Sequence, residues 1–432
     1  MKISVESSKS RSIHGRGTPL TVLDRVNFDQ YISTLYFFSP QAAKALPNAI
    51  LQQGHSKTLA MHREWAGRFG LDANGNPGIL LNNEGARFIE ATDDIALCTI
   101  MPVEPTPELL SLYPSDDGAN ELMLVQVTRF ACGSLAVAVN GNHLMSDGYG
   151  RCSFMTAWAN ATRGIEFEHR GVKFKQPPHC DALDDMEKHA HASGGGDKVV
   201  VRRVHFSTVM VSELKTLASS PNAPCISKAR GLDGEIPTTL KIAVNGRHRM
   251  HHPEVPEAGN VVLWACPTIT KVARVDDTYF NSGVVEKEGL VPVADPTMIV
   301  LCPDVEVNSL VGIPVNDVDF GAGLPFLFMH GYLPQEGLVF ITSSSSGDGS
   351  IDAQVSLFSG TMDIFKNWGS GPAAAALDSF GGRRAIASTI GSCVSQITRP
   401  AAATVESEWG SPTIHHGWSP VRWSMACFSN FA

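Results

Sequence analysis

The sequence predicts a mixed α/β protein made of two β-rich halves, and three observations support this. Up to Gly164, apolar segments of strand type and helix type alternate along the chain. From Ile165 to Asp197 the composition changes to His, Asp and Gly, as is typical of a linker or crossover. A second β-rich region begins at Lys198. With 432 residues, 43% of them hydrophobic, the chain is long enough for two or three globular domains.

The first half begins with a turn from Thr21 and an aromatic, β-branched strand that ends at Phe38. Residues 42–70 carry apolar side chains at helical spacing and predict a helix. Residues 78–91, GILLNNEGARFIEA, predict a hairpin because turn-forming Asn and Gly separate two apolar runs. Strands at 122–130 and 134–139 complete this half together with a helix at 150–164, whose spacing places Phe154, Trp158 and Ala161 on one face.

In the second half, residues 198–207, KVVVRRVHFS, begin a series of β-type segments that continues to Asn367. From Trp368 onward the chain is rich in Ala, Gly and Ser and has little periodicity. We therefore predict domains at 1–164 and 198–367, a crossover at 165–197, and a low-complexity, disordered tail at 368–432.

Charge and composition exclude several classes of protein. A net charge of −9 argues against a nucleic-acid or membrane partner, because both prefer a basic surface. No stretch approaches the roughly 18 apolar residues of a membrane span, and the start lacks a secretory signal. The 9 cysteines include no C-x-x-C pair, which favours reduced thiols and predicts a cytoplasmic protein without a structural metal.

The first candidate site is the sequence AVAVNGNHLMSDGYG, which ends an apolar strand and starts a helix. A turn of this kind places His143 where a rigid scaffold presents side chains to a cleft. With 15 histidines in the chain, about one H-x-x-x-D match is expected by chance, so an ordinary turn stays open. Asp147, or Ser146, is suited to cap the following helix, which predicts a structural role for Asp147.

The second candidate site is VDFGAGLPF, with Asp319, Gly321 and Gly323. Two glycines so close together predict a tight bend where backbone approaches backbone or a ligand, and a plain strand–turn–strand is the alternative. The chain lacks a G-x-S-x-G elbow, a phosphate-binding loop and a protein-kinase signature.

Together, HLMSDG and DFGAG resemble the paired H-x-x-x-D-G and D-F-G-W-G motifs of the plant BAHD acyl-CoA-dependent acyltransferases. TPLTVLDR, REWAGRF, NGRHRM, GNVVLW and SLFSGTMDIFKN resemble other stretches of that family, so the likeness extends with gaps from Lys2 to Asn367. PLTVLD, GARFIEA and VQVTRFACGSLAV are most similar to its amine hydroxycinnamoyltransferases, such as the agmatine coumaroyltransferases.

The resemblance implies a two-domain fold like chloramphenicol acetyltransferase, with an active-site channel between the domains. His143 and Asp147 are the implied catalytic pair: His143 is the general base, and Asp147 pairs with Arg247 to hold the histidine loop. Asp319, Gly321 and Gly323 would shape the back of the channel, and Lys228 and Arg230 are candidates for CoA binding. Acyl-CoA is the implied co-substrate, with no bound cofactor and no metal.

Four departures from the family concern the scaffold rather than the motifs. Ala322 stands where most of the family has Trp, and the crossover after Thr162 is short. The segments NAPCISKARGLD and CPTITKVARVDDTYFNSG lack most of two helices. Loss of two covering helices predicts exposed apolar surface and a less stable fold.

The sequence therefore predicts a monomeric transferase of hydroxycinnamoyl groups from CoA to an amine, with agmatine first among acceptors. Putrescine, tryptamine and serotonin are further amine acceptors. Two alternatives stay open: O-acylation of an alcohol by the same machinery, and a catalytically inactive remnant of such an enzyme.

Overall fold

The computed structural model describes residues 2–4, 17–25, 27, 29–41, 46–71, 75–165, 198–212, 228–231, 234–237, 240–245, 247, 259–265, 305–321 and 323–368. These residues form two six-stranded sheets, one three-stranded sheet and one two-stranded sheet. The predicted tail after Trp368, most of the crossover, Ala322 and most of the two shortened segments lie outside the described residues. Trp368, predicted as the first residue of the tail, is instead the last residue of a helix.

The first six-stranded sheet contains, in spatial order, β1 (Lys2–Ser4), β6 (Arg87–Asp93), β7 (Met123–Phe130), β8 (Leu135–Asn142), β3 (Tyr31–Phe38) and β15 (Leu327–His330). The second contains β13 (Val262–Ala265), β12 (Leu240–Asn245), β14 (Val305–Ser309), β16 (Leu338–Ser343), β17 (Ile351–Phe358) and β9 (Val199–Phe206). The smaller sheets are β2 (Gly17–Pro19), β5 (Pro77–Leu80) and β4 (Arg68–Leu71), and β10 (Lys228–Gly231) with β11 (Gly234–Pro237). The helices are α1 (Val22–Arg25), α2 (Asn48–Met61), α3 (Gly148–Thr162) and α4 (Ser359–Trp368), with 3-10 turns at Arg63–Ala66, Leu97–Ile100 and Pro107–Leu112.

The core of the first half lies between the first sheet and helices α2 and α3. Phe154, Trp158 and Ala161, predicted on one face of α3, are all buried. Trp158 Nε1 of α3 donates a hydrogen bond to the Leu51 carbonyl of α2 at 2.8 Å. This bond joins the two helices and satisfies the polar atom of the buried indole. The predicted strands at 31–38, 122–130 and 134–139 and the helix at 150–164 are confirmed within a few residues at their ends.

The tight packing of α2 against α3 at Gly54 predicts a stability effect. A Cβ there would lie 2.1 Å from Thr162 Oγ1 and 2.9 Å from Thr162 Cα, so the helices must move apart. We expect Gly54→Ala to lower the free energy of unfolding by about 1 kcal/mol or more, because overpacking outweighs the gain in helix propensity. Urea unfolding measures this, with Gly360→Ala in α4 as the control, since no heavy atom lies within 4 Å of a Cβ there. Equal stability of Gly54→Ala and the wild type would contradict the prediction.

The hairpin predicted at residues 78–91 is wrong. β5 pairs with β2 and β4 in the three-stranded sheet, whereas β6 pairs in parallel with β7 in the first sheet. A coil of six residues separates β5 from β6, and both Asn83 and Gly85 have positive φ angles there. The Gly85 amide donates to the Ala66 carbonyl at 2.9 Å, so this coil is anchored to the helical segment rather than closed on itself.

Two other segments differ from the sequence expectation. Residues 68–71, predicted as the end of a helix, form β4, and residues 359–368 form the helix α4 at the end of the β-rich second half. β15, from the second half of the chain, pairs with β3 at the edge of the first sheet. The domain boundaries stay a prediction, and β15 shows that the two halves share a sheet.

Candidate active site

His143 lies in the loop that leaves β8 and enters α3. The loop is held from the N-terminal side: the His143 amide donates to the Gln30 carbonyl at 2.8 Å. Asn142 Nδ2 donates to Asp29 Oδ1 at 2.7 Å, and the Leu144 amide donates to Asn142 Oδ1 at 2.9 Å. The His143 side chain is half-buried. The backbone of His143 is therefore held in place at the end of β8, and its ring remains partly accessible to solvent.

Asp147 caps α3 and forms a buried ion pair with Arg247. Its Oδ1 accepts from the Gly150 amide at 2.9 Å, as the predicted helix cap requires. Its Oδ2 accepts from Arg247 Nη1 at 2.6 Å and from the Val261 amide at 2.9 Å. The two side chains are only 2% and 3% exposed, so the pair is shielded from solvent. Both carboxylate oxygens are therefore occupied in holding the loop.

Arg247, in the second half of the chain, contacts Asp147 in the first half. Three further contacts hold Arg247 in place. Its Nη2 donates to the Gly259 carbonyl at 2.9 Å, and its amide donates to Asn245 Oδ1 at 3.1 Å. The guanidinium carbon lies 4.7 Å from the centre of the Tyr149 ring, a cation–π distance. The catalytic role of Asp147 and the structural role of Arg247 stay predictions; their contact is an observed feature of the fold.

Asn260 and Asp24 also hold the histidine loop, and sequence reasoning did not single them out. Asn260 Nδ2 lies 2.8 Å from the His143 carbonyl, 3.2 Å from the Leu144 carbonyl and 3.0 Å from Asp24 Oδ1. The Asn260 amide also donates to Asp24 Oδ1, at 2.9 Å. Burial raises the pKa of Asp24, against hydrogen bonds from Thr21 and Asn260 that lower it. GNVVLW, noted only for its family likeness, was the available signal for Asn260.

The electrostatic surroundings of His143 favour a neutral ring. Burial lowers the pKa of His143 from 6.5 to about 4, and the positive charge of Arg151 acts in the same direction. The imidazole is therefore unprotonated near neutral pH and has a lone pair available to accept a proton.

The late Asp-Phe-Gly bend is present but lies far from His143. Asp319 Oδ1 accepts from the amides of Gly321 at 2.7 Å and Gly323 at 3.0 Å, and both glycines have positive φ angles. Asp319 Oδ2 lies 3.8 Å from Arg163 Nη1, just beyond the C-terminal end of α3. Since Asp147 caps the other end of this helix, about 20 Å of helix separate the bend from the histidine loop.

Phe320 explains what the bend does for the fold. Its ring is buried and packs on Trp158 at 4.9 Å and on Phe38 at 5.7 Å between ring centres. The bend thus fixes an aromatic residue of the second half in the core of the first. The predicted contribution of Asp319, Gly321 and Gly323 to a channel stays a prediction.

The remaining candidates, Lys228 and Arg230, do not define a second functional site among the described residues. Lys228 and Arg230 lie in β10, and their side chains are outside what the structure describes, so their role in CoA binding stays a prediction. Among the described residues there is no group of three or more His, Cys, Asp or Glu side chains arranged to hold a metal ion. The described part of the chain also contains no helix that is both long and apolar enough to cross a membrane.

The fold, with a half-buried histidine on a loop held from both halves of the chain, is compatible with an acyl-CoA-dependent acyltransferase, and the comparisons with known proteins establish this class. A family model described as the Transferase family matches residues 7–270. The chain belongs to this family, the BAHD acyltransferases. Its members take the acyl group from a CoA thioester, so acyl-CoA is a co-substrate.

Similar curated proteins support this family. The chain is 46% identical to agmatine coumaroyltransferase-1 of Hordeum vulgare, with 85% of this chain and 99% of that protein covered. It is 44% identical to agmatine hydroxycinnamoyltransferase 1 of Oryza sativa subsp. japonica, with 85% and 98% covered. The first alignment has 442 positions but only about 367 residues of this chain (85% of 432), so about 75 positions are gaps in it.

Solved structures have the same fold at low sequence identity. Vinorine synthase matches with a TM-score of 0.62 at 20% identity, covering 84% of this chain and 95% of that one. F. graminearum TRI101, complexed with coenzyme A and deoxynivalenol, matches with a TM-score of 0.60 at 18% identity, covering 82% and 97%. The two-domain acyltransferase fold predicted from the resemblance is confirmed.

Proposed function

We propose that this chain transfers a hydroxycinnamoyl group, such as coumaroyl, from CoA to an amine, with agmatine as the first acceptor. The support comes from the relatives named for agmatine, at 46% and 44% identity, and for putrescine, at 35%. The product is an amide, and the reaction is N-acylation. A net charge of −9 is compatible with cationic acceptors. We also propose that the protein is cytoplasmic and monomeric and that its partners are small molecules only.

The observation that carries the proposed mechanism is the position of His143, half-buried on a loop whose backbone is held by Gln30 and Asn260. As the amine nitrogen attacks the thioester carbonyl, the imidazole takes the proton that the nitrogen loses. The tetrahedral intermediate then collapses, the carbon–sulfur bond breaks, and CoA leaves as a thiolate that takes the proton back from the imidazolium, which restores neutral His143. No covalent bond to the enzyme is needed. Asp147 acts in this scheme through Arg247, by holding the loop rather than by transferring a proton.

An acceptor panel tests the substrate assignment. The purified full-length chain is mixed with coumaroyl-CoA and agmatine, putrescine, tryptamine, serotonin or an alcohol, and release of the CoA thiol is followed. We expect release that requires an amine, with agmatine giving the highest kcat/KM and the amide identified by mass spectrometry.

Two results would contradict the proposal. Thermal unfolding of the same sample shows whether the protein was folded when each result was obtained. Release with the alcohol but not with amines indicates O-acylation. No release from a sample that unfolds cooperatively indicates the inactive remnant. Size-exclusion chromatography of this sample tests the monomer.

A further inference from the structure

Arg151 is a buried cation at the strand ends that lead to His143. It lies in the first turns of α3, and the residue is only 5% exposed. Its Nη1 donates to the Ile32 carbonyl of β3 at 2.7 Å, and its Nη2 donates to the Gly141 carbonyl of β8 at 3.1 Å. Ile32 and Gly141 face each other in the ladder between these strands. The guanidinium therefore ties both strands to the helix, two residues before His143.

The strand is shaped to admit this guanidinium. A Cβ at position 141 would lie 3.1 Å from Arg151 Nε and 3.4 Å from its Cζ, which is closer than nearly all real Cβ contacts. Gly141 thus leaves room for the Arg151 head group against the backbone. A side chain at this position would displace the charge from the end of β8.

Each of the three carboxylates around the His143 loop accepts a hydrogen bond from a side chain. Asp147 is paired with Arg247, Asp24 accepts from Asn260, and Asp29 accepts from Asn142. Arg151, by contrast, donates to carbonyl oxygens, and no carboxylate of a described residue forms an ion pair with it. Because the interior screens charge poorly, the positive charge of Arg151 acts on the loop, where the carboxylate of Asp147 opposes its effect on His143.

We infer that Arg151 is a positioning residue for His143: it fixes the strand ends before the histidine, and its positive charge opposes that of a protonated imidazole. This rests on the proposed role of His143 as the base. The lowered pKa of His143, caused by burial first and then by Arg151, is consistent with it. Arg151 also lowers the pKa of His330, again after burial, so its field extends to a second buried ring.

The test compares Arg151→Gln, which removes the positive charge, with Arg151→Lys, which keeps it. In Arg151→Gln we expect the pKa of His143 to rise from about 4 by about one pH unit, because a positive charge that opposes protonation of the ring is removed. The acid limb of kcat/KM should move up with it, because activity is lost as the pH falls through the pKa of the base. In Arg151→Lys both should stay within a few tenths of a pH unit of the wild type.

The pKa is measured by histidine C2 hydrogen–deuterium exchange with mass spectrometry, which needs no turnover. An unchanged pKa in Arg151→Gln, or an equal shift in Arg151→Lys, overturns the role of the charge. If Arg151→Gln does not fold, Arg151→Met replaces it, and a wild-type pKa at or above 6.5 overturns the inference by itself. If the wild type transfers no acyl group, the proposed function fails while exchange at His143 still tests Arg151.

Discussion

His143→Ala is expected to lower kcat/KM for the amine by about 10²- to 10⁴-fold, the usual contribution of a positioned general base. Without the imidazole, the attacking nitrogen must lose its proton to water. Stability should change little, because the side chain is half-buried and the loop is held through the backbone. Thiol release measures the rate, and urea unfolding measures the stability of the same sample.

His205→Ala is the matched control for this variant. His205 lies on β9, its side chain is 53% exposed, and its Nδ1 lies 3.0 Å from Asp352 Oδ1. We expect its kcat/KM to stay near that of the wild type, since the residue lies on the second sheet and does not contact the loop. A His143→Ala rate within threefold of the wild type would remove the imidazole from the mechanism.

Arg247→Met is expected to lower the free energy of unfolding by about 3–5 kcal/mol, since it leaves a buried carboxylate without its cation. The Asp147 carboxylate would keep only the amides of Gly150 and Val261. The Gly259 carbonyl would lose the shorter of its two hydrogen bonds and keep the one from the Asp147 amide at 3.4 Å. Because Asp147 holds the loop of His143, we also expect kcat to fall. Urea unfolding and initial rates measure the two effects.

Arg163→Gln is the control for the ion pair. Arg163 and Asp319 are 3.8 Å apart, with side chains 33% and 28% exposed, so solvent screens their attraction. Removing it should cost only about 0–1 kcal/mol. If Arg247→Met loses no more stability than Arg163→Gln, the buried pair does not stabilise the fold in the way we propose.

Local patterns in the sequence identified the elements that flank the site. The aromatic, β-branched run of β3, the apolar run of β8 and the helical spacing of Phe154 and Trp158 each predicted the correct element. These predictions succeed because side-chain periodicity depends on the residue's own neighbours. The helix cap at Asp147 is equally local, since its acceptor and the Gly150 amide are three residues apart.

Pairing between distant segments was not predictable in the same way. The hairpin at 78–91 failed because an apolar run specifies a strand but not its partner: β6 selects β7 in parallel instead of β5. The contact of Arg247 with Asp147 was expected from family likeness rather than from spacing. Asn260 and Asp24 were missed because a buried amide and carboxylate have no periodic signal.

The sequence by itself determined the strands and the helix that flank the site, where α3 begins, and which histidine stands at that junction. Only the tertiary structure decided that Arg247 and Asn260 hold the loop from the other half, that the Asp-Phe-Gly bend lies at the far end of α3, and that the His143 side chain is half-buried. The physical reason is distance along the chain. Burial, charge and hydrogen-bond partners at a site come from residues far apart in sequence, and folding alone brings them within contact.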